Sequence, residues 1–76
     1  MELEIEDKLQ GIYKNLIIEV KFKTFRIYEI NVRINNEGIN YFDYTYDAHL
    51  TFDANISIIR KIIDNKLILP YFRKDE

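Results

Sequence analysis

Residues 26–46 read RIYEINVRINNEGINYFDYTY. Two runs in which apolar and polar residues alternate lie on either side of a segment rich in Asn and Gly. Alternation with a period of two is typical of half-buried antiparallel strands, and Gly38 can take the positive φ angle that tight turns require. The stretch therefore predicts a β-hairpin. Its loop would be Asn36, Glu37 and Gly38, so that Asn35 faces Ile39.

This loop also predicts the register of the hairpin. On one face it places Val32 opposite Phe42, Ile30 opposite Tyr44 and Tyr28 opposite Tyr46, and on the other face Arg33 opposite Tyr41 and Asn31 opposite Asp43. All six residues of the first face are apolar or aromatic. A slip by one residue would bring Asp43 onto that face. The pattern therefore favours a register in which the even-numbered residues of both strands share the apolar face.

A third strand is predicted upstream of the hairpin. Residues 16–22 alternate, with Leu16, Ile18, Val20 and Phe22 on the apolar face. A loop of odd length, Lys23, Thr24 and Phe25, keeps the apolar faces of the two neighbouring strands together. The three strands predict an antiparallel meander.

Helices are predicted on both sides of the meander. The spacing of Ile5, Leu9, Ile12 and Tyr13 indicates an amphipathic helix over residues 4–14, and the competing interpretation is a short strand at residues 2–6. Downstream, Asp53 is the predicted N-cap of a helix that ends near Asn65, and Phe52 could pack on its first turn. That helix carries an apolar stripe formed by Ile56, Ile59 and Ile63. Residues 67–69 could form a short edge strand before Pro70.

The predicted fold class is therefore α+β. It consists of a three-stranded antiparallel meander, a C-terminal helix packed on one face, and an N-terminal helix. Residues 1–76 form one domain, because 76 residues are too few for two.

The residue content argues against an enzyme. The chain has no cysteine, a single histidine, His49, and a single serine, Ser57, in the predicted last helix. Asp43 and Asp47 would be about 13 Å apart on one strand, which is too far for a general acid and base that work as a pair. With only two glycines there is no phosphate-binding loop. We therefore expect no catalytic residue, no metal and no cofactor.

The composition also predicts the compartment and the origin. Met1 is followed by acidic residues, which is unlike a secretory signal, and no apolar run approaches the length of a membrane span. Absence of cysteine suits a reducing interior. Ile, Asn, Lys, Tyr and Phe make up 39 of the 76 residues, which indicates an AT-rich bacterial or phage genome. We expect no membrane partner and a cytoplasmic location, in the host cell if the protein is phage-encoded.

Direct binding to nucleic acid is not expected. The element order also fits double-stranded-RNA-binding domains, but the predicted last helix has no basic residue before Arg60. Lys21, Lys23 and Arg26 alternate with aromatic residues, as in proteins that bind single strands. The simpler interpretation is that these cations solvate the tip of a hairpin.

The predicted hairpin carries a candidate protein-binding surface. Its candidate partner-binding residues are Asn36, Glu37, Gly38, Tyr41, Asp43 and Asp47. No Lys or Arg occurs between residues 34 and 59, so nothing nearby in sequence neutralises the carboxylates. A row of carboxylates can present itself to a basic cleft much as the phosphates of DNA do, and tyrosine is common in interfaces. The alternative is an ordinary solvated sheet face.

The run from residue 27 to residue 41 resembles the central hairpin of a small type II-A anti-CRISPR protein, a phage-encoded inhibitor of the CRISPR effector nuclease. The matching residues are Ile27, Arg33, Asn35, Asn36, Gly38 and Tyr41, with apolar agreement at Ile30, Val32 and Ile34. The resemblance implies a three-stranded sheet with helices, and implies Asn36, Glu37 and Gly38 as contacts to a DNA-binding pocket. The chain departs from the family at Asn40, where the family has an acid, and at residues 67–74, where the family is acidic.

Two functions are therefore predicted. The first is an anti-defence protein that binds a host nucleic-acid-handling effector, such as a CRISPR nuclease, through its acidic hairpin. The second is a small homo-oligomeric structural or regulatory protein, a homodimer for example, that pairs through a sheet edge or through residues 67–72.

Overall fold

A computed structural model describes residues 2–33 and 39–65. The elements in chain order are α1 (Glu2–Ile12), β1 (Ile17–Thr24), β2 (Ile27–Arg33), β3 (Ile39–Thr45) and α2 (Phe52–Ile63). The strands form one antiparallel sheet in the order β1-β2-β3. The α+β class and the meander are confirmed, and the N-terminal segment is a helix and not a strand. None of the described helices is both long and apolar enough to cross a membrane.

One face of the sheet forms the core together with both helices. In β2, in β3 and in β1 as far as Phe22, the even-numbered side chains point toward the helices, as the alternation predicts, and the helices contribute their apolar stripes. The buried apolar residues are Ile5, Leu9, Ile18, Val20, Tyr28, Ile30, Val32, Tyr44, Ile56, Ile59 and Ile63. The packing of α1 on β1 explains why the segment is helical although Gly11 has a low helix propensity.

Phe22 lies on the predicted apolar face of β1, but the expectation that this places it in the core is wrong. Its side chain is 57% exposed, although it lies on the same face as the buried Val20. Glu2, the first residue of α1, lies beside Phe22, because its carboxylate accepts the backbone N–H of Phe22. The helix therefore has no preceding turn that could cover the Phe22 ring. The ring instead packs edge-on against Tyr28, with 5.9 Å between ring centroids.

The connection between β1 and β2 also differs from the predicted loop. The turn residues are Phe25 and Arg26, and the register shifts between the pairs Phe22–Tyr28 and Thr24–Ile27. The extra residue in β1 is Lys23, which keeps the even-numbered faces together as an odd loop would have done. Arg26 has a φ angle of 62°, a turn position that usually favours Gly or Asn, and its guanidinium lies 4.6 Å above the Phe25 ring.

The predicted register of the β2–β3 hairpin is wrong by two residues. Tyr28 pairs with Tyr44, Ile30 with Phe42, Val32 with Asn40, and Ile39 with Arg33 instead of Asn35. A shift of two keeps the same residues inward, so the alternation of apolar residues cannot distinguish the two registers. Residues 34–38, which include the predicted loop Asn36, Glu37 and Gly38, lie outside the described residues. So do residues 67–72, on which the edge-strand and oligomerisation predictions depend.

The N-cap of α2 is Thr51 and not Asp53. The hydroxyl of Thr51 accepts the backbone N–H of Ala54 at 3.1 Å, and its backbone has the extended conformation of an N-cap residue. Phe52 is therefore the first helical residue, and Asp53 lies in the first turn, where its charge favours the helix dipole. The helix ends at Ile63, close to the predicted Asn65.

Tyr13 links the C-terminal ends of the two helices. Its hydroxyl donates to Asp64 Oδ1 at 2.6 Å and lies 3.4 Å from the carbonyl oxygen of Arg60. Burial and the hydrogen bond to Asp64 raise the pKa of Tyr13 to about 12. Since an unfolded tyrosine titrates near 10, the phenol stabilises the fold fully below about pH 10 and this contribution is lost as the pH rises through about 12.

We expect Tyr13→Phe to lower stability at neutral pH and the difference from the wild type to shrink in alkaline solution. The neutral loss reflects one hydrogen bond, about 1 kcal/mol. Urea unfolding of both proteins at several pH values between the unfolded and the folded pKa of Tyr13 measures the difference in their free energies of unfolding. Contributions that the two proteins share cancel in this comparison. A constant difference at every pH would contradict the assignment.

Candidate functional site

The second face of the sheet, here called the outer face, has no described element packed on it. It is formed by the odd-numbered strand residues Ile17, Glu19, Lys21, Ile27, Glu29, Asn31, Arg33, Ile39, Tyr41, Asp43 and Thr45. All of these side chains are exposed or only partly buried. Because the core occupies the opposite face, changes on the outer face should have little effect on the packing of the core.

Two large side chains of β3 are exposed on the outer face. Tyr41 is 67% exposed and Ile39 is 60% exposed, and they are neighbours on the same face of one strand. Tyr41 lies opposite Asn31 on β2. A tyrosine with its ring and hydroxyl both accessible offers contact area and a hydrogen bond at low entropic cost, which is typical of binding surfaces.

Two carboxylates face each other beside Tyr41. Asp43 is the cross-strand partner of Glu29, and like charges in that position repel. Lys23 of the β1 bulge offsets this repulsion, with its Nζ 3.0 and 3.2 Å from the two carboxylate oxygens of Asp43. The hydrogen bond to Asp43 raises the pKa of Lys23. Asp43 is therefore not the unneutralised charge that the sequence predicts, because its counterion comes from a distant strand.

Asp47 forms hydrogen bonds that stabilise the loop between β3 and α2. Its carboxylate accepts the backbone N–H of His49 at 2.8 Å, and its own N–H and C=O bond to the side chain of Asn55. The residue follows the end of β3 and does not form one row with Tyr41 and Asp43. Of the six predicted site residues, the structure thus brings Tyr41 and Asp43 together on one face and assigns Asp47 to a turn. The other three lie outside the described residues.

The two edges of the sheet differ in their hydrogen bonding. At the β1 edge, Glu2, Glu6 and Gln10 of α1 accept the N–H groups of Phe22, Val20 and Ile18, at 2.9, 2.9 and 3.0 Å. Four residues of helix rise about 6 Å and two residues of strand about 6.6 Å, so the two series stay in step. We call this set of three bonds the helix–strand seam.

The β3 edge has no such cover. The N–H of Tyr46 bonds to the carbonyl of Arg26 at 2.6 Å. Because hydrogen-bonded pairs alternate along an antiparallel ladder, the backbone N–H and C=O groups of the even-numbered residues of β3 point toward β2. The N–H groups of Tyr41, Asp43 and Thr45 therefore point to the free edge. Among residues 2–33 and 39–65, no hydrogen bond reaches them from outside the sheet.

The described residues offer no metal-binding arrangement. Within ranges 2–33 and 39–65, no group of three or more His, Asp or Glu side chains is placed to hold an ion. His49 is exposed in the β3–α2 loop.

Comparison with known proteins finds no matching family model, no significantly similar curated protein and no significantly similar solved structure.

Three features of the site escaped sequence reasoning. Glu29 was not predicted as a site residue because the shifted register placed Asn31 opposite Asp43. The Lys23–Asp43 pair depends on a bulge that no Gly or Pro marks in the sequence. The helix–strand seam has a visible signal, since Glu2, Glu6 and Gln10 recur every four residues beside the apolar stripe of α1.

Proposed function

We propose that the protein is a phage or mobile-element anti-defence protein, similar in action to anti-CRISPR proteins. It has no enzymatic activity and acts in the cytoplasm of the host. It binds a host nucleic-acid-handling effector through the β2–β3 hairpin and the outer face, and so blocks access of nucleic acid. The observation that carries the proposal is the exposed pair Tyr41 and Ile39, which lies beside the carboxylates of Glu29 and Asp43 on a sheet face that no described element covers.

The chemistry of this face suits a basic surface. Proteins that bind nucleic acid present Lys and Arg to phosphates. A guanidinium or ammonium of the effector can bind between the two carboxylates of Glu29 and Asp43, where the repulsion between them favours a second cation beside Lys23. Tyr41 then packs against the aliphatic part of that side chain. Glu37 adds a further negative charge to the same hairpin.

Two sequence features support the same proposal. Residues 27–41 resemble the hairpin of type II-A anti-CRISPR proteins, and the element order of the two is similar. The AT-rich residue content fits a phage or mobile element. The outer face also carries Lys21 and Arg33, so its carboxylates act locally and not as a uniform acidic surface.

The test begins with affinity capture from a bacterial lysate and mass spectrometry of the retained protein. That protein, purified, is titrated onto a fluorescent oligonucleotide with and without the wild-type chain. We expect the chain to reduce oligonucleotide binding. The double variant Glu37→Lys/Asp43→Lys should need at least tenfold more protein for the same effect, about 1.4 kcal/mol of binding free energy.

The matched control is Glu4→Lys/Asp7→Lys, which makes the same change in net charge at exposed positions of α1. It should inhibit as well as the wild type. Circular dichroism checks that both variants keep the fold. Equal inhibition by the hairpin variant and the wild type would refute the proposal, and so would a captured protein whose nucleic-acid binding does not change.

A further inference from the structure

The two edges of the sheet differ in whether a side chain accepts their outward N–H groups. At the β1 edge, side chains of α1 accept the outward N–H groups of alternate residues, which leaves no donors for a neighbouring strand. At the β3 edge, no hydrogen bond from the described residues 2–33 and 39–65 reaches the corresponding groups of Tyr41 and Asp43. An exposed edge strand is a template for another strand, and proteins normally protect such edges.

Strand β3 carries few of the usual protective features. It reads INYFDYT and has no Lys, Arg, Pro or Gly, and its pairing with β2 runs without a bulge over seven residues. Its one charge is Asp43, which Lys23 neutralises at 3.0 Å. Ile39 and Tyr41 are mostly exposed beside the edge. A regular, nearly uncharged strand of this kind favours pairing with another strand.

We infer that the occupant of the β3 edge is the β3 strand of a second copy, in an antiparallel pair centred on Phe42. In this register Tyr41 of each copy lies opposite Asp43 of the other, and Ile39 lies opposite Thr45. The paired residues are odd-numbered, so their N–H and C=O groups are the ones that point to the open edge. The two Phe42 rings meet on the side of the helices.

The charges of β3 permit this pairing. The only ionisable pair that would approach across the two-fold axis is Asp43 with its copy, and these lie diagonally and not directly opposite. Each already has Lys23 as its counterion. Tyr41 offers a hydroxyl to the carboxylate that it faces. The interface uses the same surface of both copies and yields one continuous six-stranded sheet.

This inference is independent of the proposed function. The pairing depends on backbone N–H and C=O groups at the edge, and the proposed function depends on side chains of the outer face, although Tyr41 and Asp43 border both surfaces. The dimer would carry two outer faces on the same side of one sheet, which doubles the number of Glu29–Asp43 carboxylate pairs.

The test compares Tyr41→Pro with Tyr41→Ala. Both variants lack the tyrosine side chain, but only proline also removes the N–H that points to the open edge, and proline is tolerated on edge strands. We expect the wild type and Tyr41→Ala to sediment as dimers over a range of concentrations, and Tyr41→Pro to sediment as a monomer with an unchanged circular dichroism spectrum.

Amide hydrogen exchange supplies a second measurement on the wild type, which does not depend on the proline variant folding. The amides of Tyr41, Asp43 and Thr45 should become more protected as concentration rises, while that of Val20 stays constant. A wild type that remains monomeric up to millimolar concentration would overturn the inference, and so would a dimer whose Tyr41 and Asp43 amides exchange freely. Loss of effector binding in Tyr41→Ala with the dimer intact would concern the proposed function alone.

Discussion

Replacement of Asn55 by alanine should remove a large part of the stability of the domain. Asn55 is fully buried, and its amide uses all four of its hydrogen-bonding positions. Its Oδ1 accepts from the Tyr44 hydroxyl at 2.5 Å and from the Asp47 N–H at 2.9 Å. Its Nδ2 donates to the carbonyls of Asp47 and Thr51, at 3.0 and 2.9 Å. The residue thus ties the end of β3 to the first turn of α2.

The expected cost of Asn55→Ala is about 3–5 kcal/mol, because each buried polar group that loses its partner costs about 1–3 kcal/mol and water can reach some of them. A chain of this length is stable by only about 4–11 kcal/mol. The melting temperature should therefore fall on the order of 20 °C. Thermal and urea unfolding followed by circular dichroism measure both quantities.

The matched control is Asn15→Ala, which removes the same side chain from an exposed position between α1 and β1. Its effect should stay within about 0.5 kcal/mol. A double-mutant cycle with Tyr44→Phe should find the two side chains strongly coupled, since they share a hydrogen bond. If Asn55→Ala unfolds at the temperature of the Asn15→Ala control, the network does not hold the loop.

Periodicity predicts the elements of this protein well and their register poorly. The alternation over residues 16–22 and 26–46 is strong enough to predict three strands and their inward faces. It repeats every two residues, however, and a hairpin displaced by two buries the same side chains. Contacts outside the hairpin, such as the hydrogen bond from Tyr44 to Asn55 in α2, are not contained in this periodicity.

For the candidate site too, the sequence predicts which side chains face outward but not which of them contact each other. Tyr41 and Asp43 are predictable as outward residues from their odd positions alone. The neutralisation of Asp43 is not, since Lys23 is twenty residues away and reaches it only through a bulge. Likewise, Phe22 has the right parity for the core, but whether it is covered depends on where α1 begins.

Removal of the helix–strand seam should both destabilise the fold and open a second sheet edge. In the variant Glu2→Ala/Glu6→Ala/Gln10→Ala, the N–H groups of three β1 residues lose their acceptors. Gln10 also donates to the carbonyls of Tyr13 and Leu16, at 3.0 and 2.6 Å, so the turn between α1 and β1 loses two further bonds. We expect a loss of about 2–4 kcal/mol and concentration-dependent aggregation, measured by urea unfolding and light scattering.

We expect this loss of stability to come from the missing oxygen acceptors and not from the missing negative charge of Glu2 and Glu6. A conservative variant separates the two causes. Glu2→Gln/Glu6→Gln keeps an oxygen acceptor at each position and should retain most of the stability and stay soluble. Glu4→Ala/Asp7→Ala, at exposed positions of the same helix, should change little. Amide exchange at Val20 reports the seam directly, because that N–H bonds to Glu6 at 2.9 Å. If Val20 remains as protected in the alanine variant as in the wild type, packing of α1 alone closes this edge. If it exchanges freely while the glutamine variant stays protected, the three side chains are what confines strand pairing to β3.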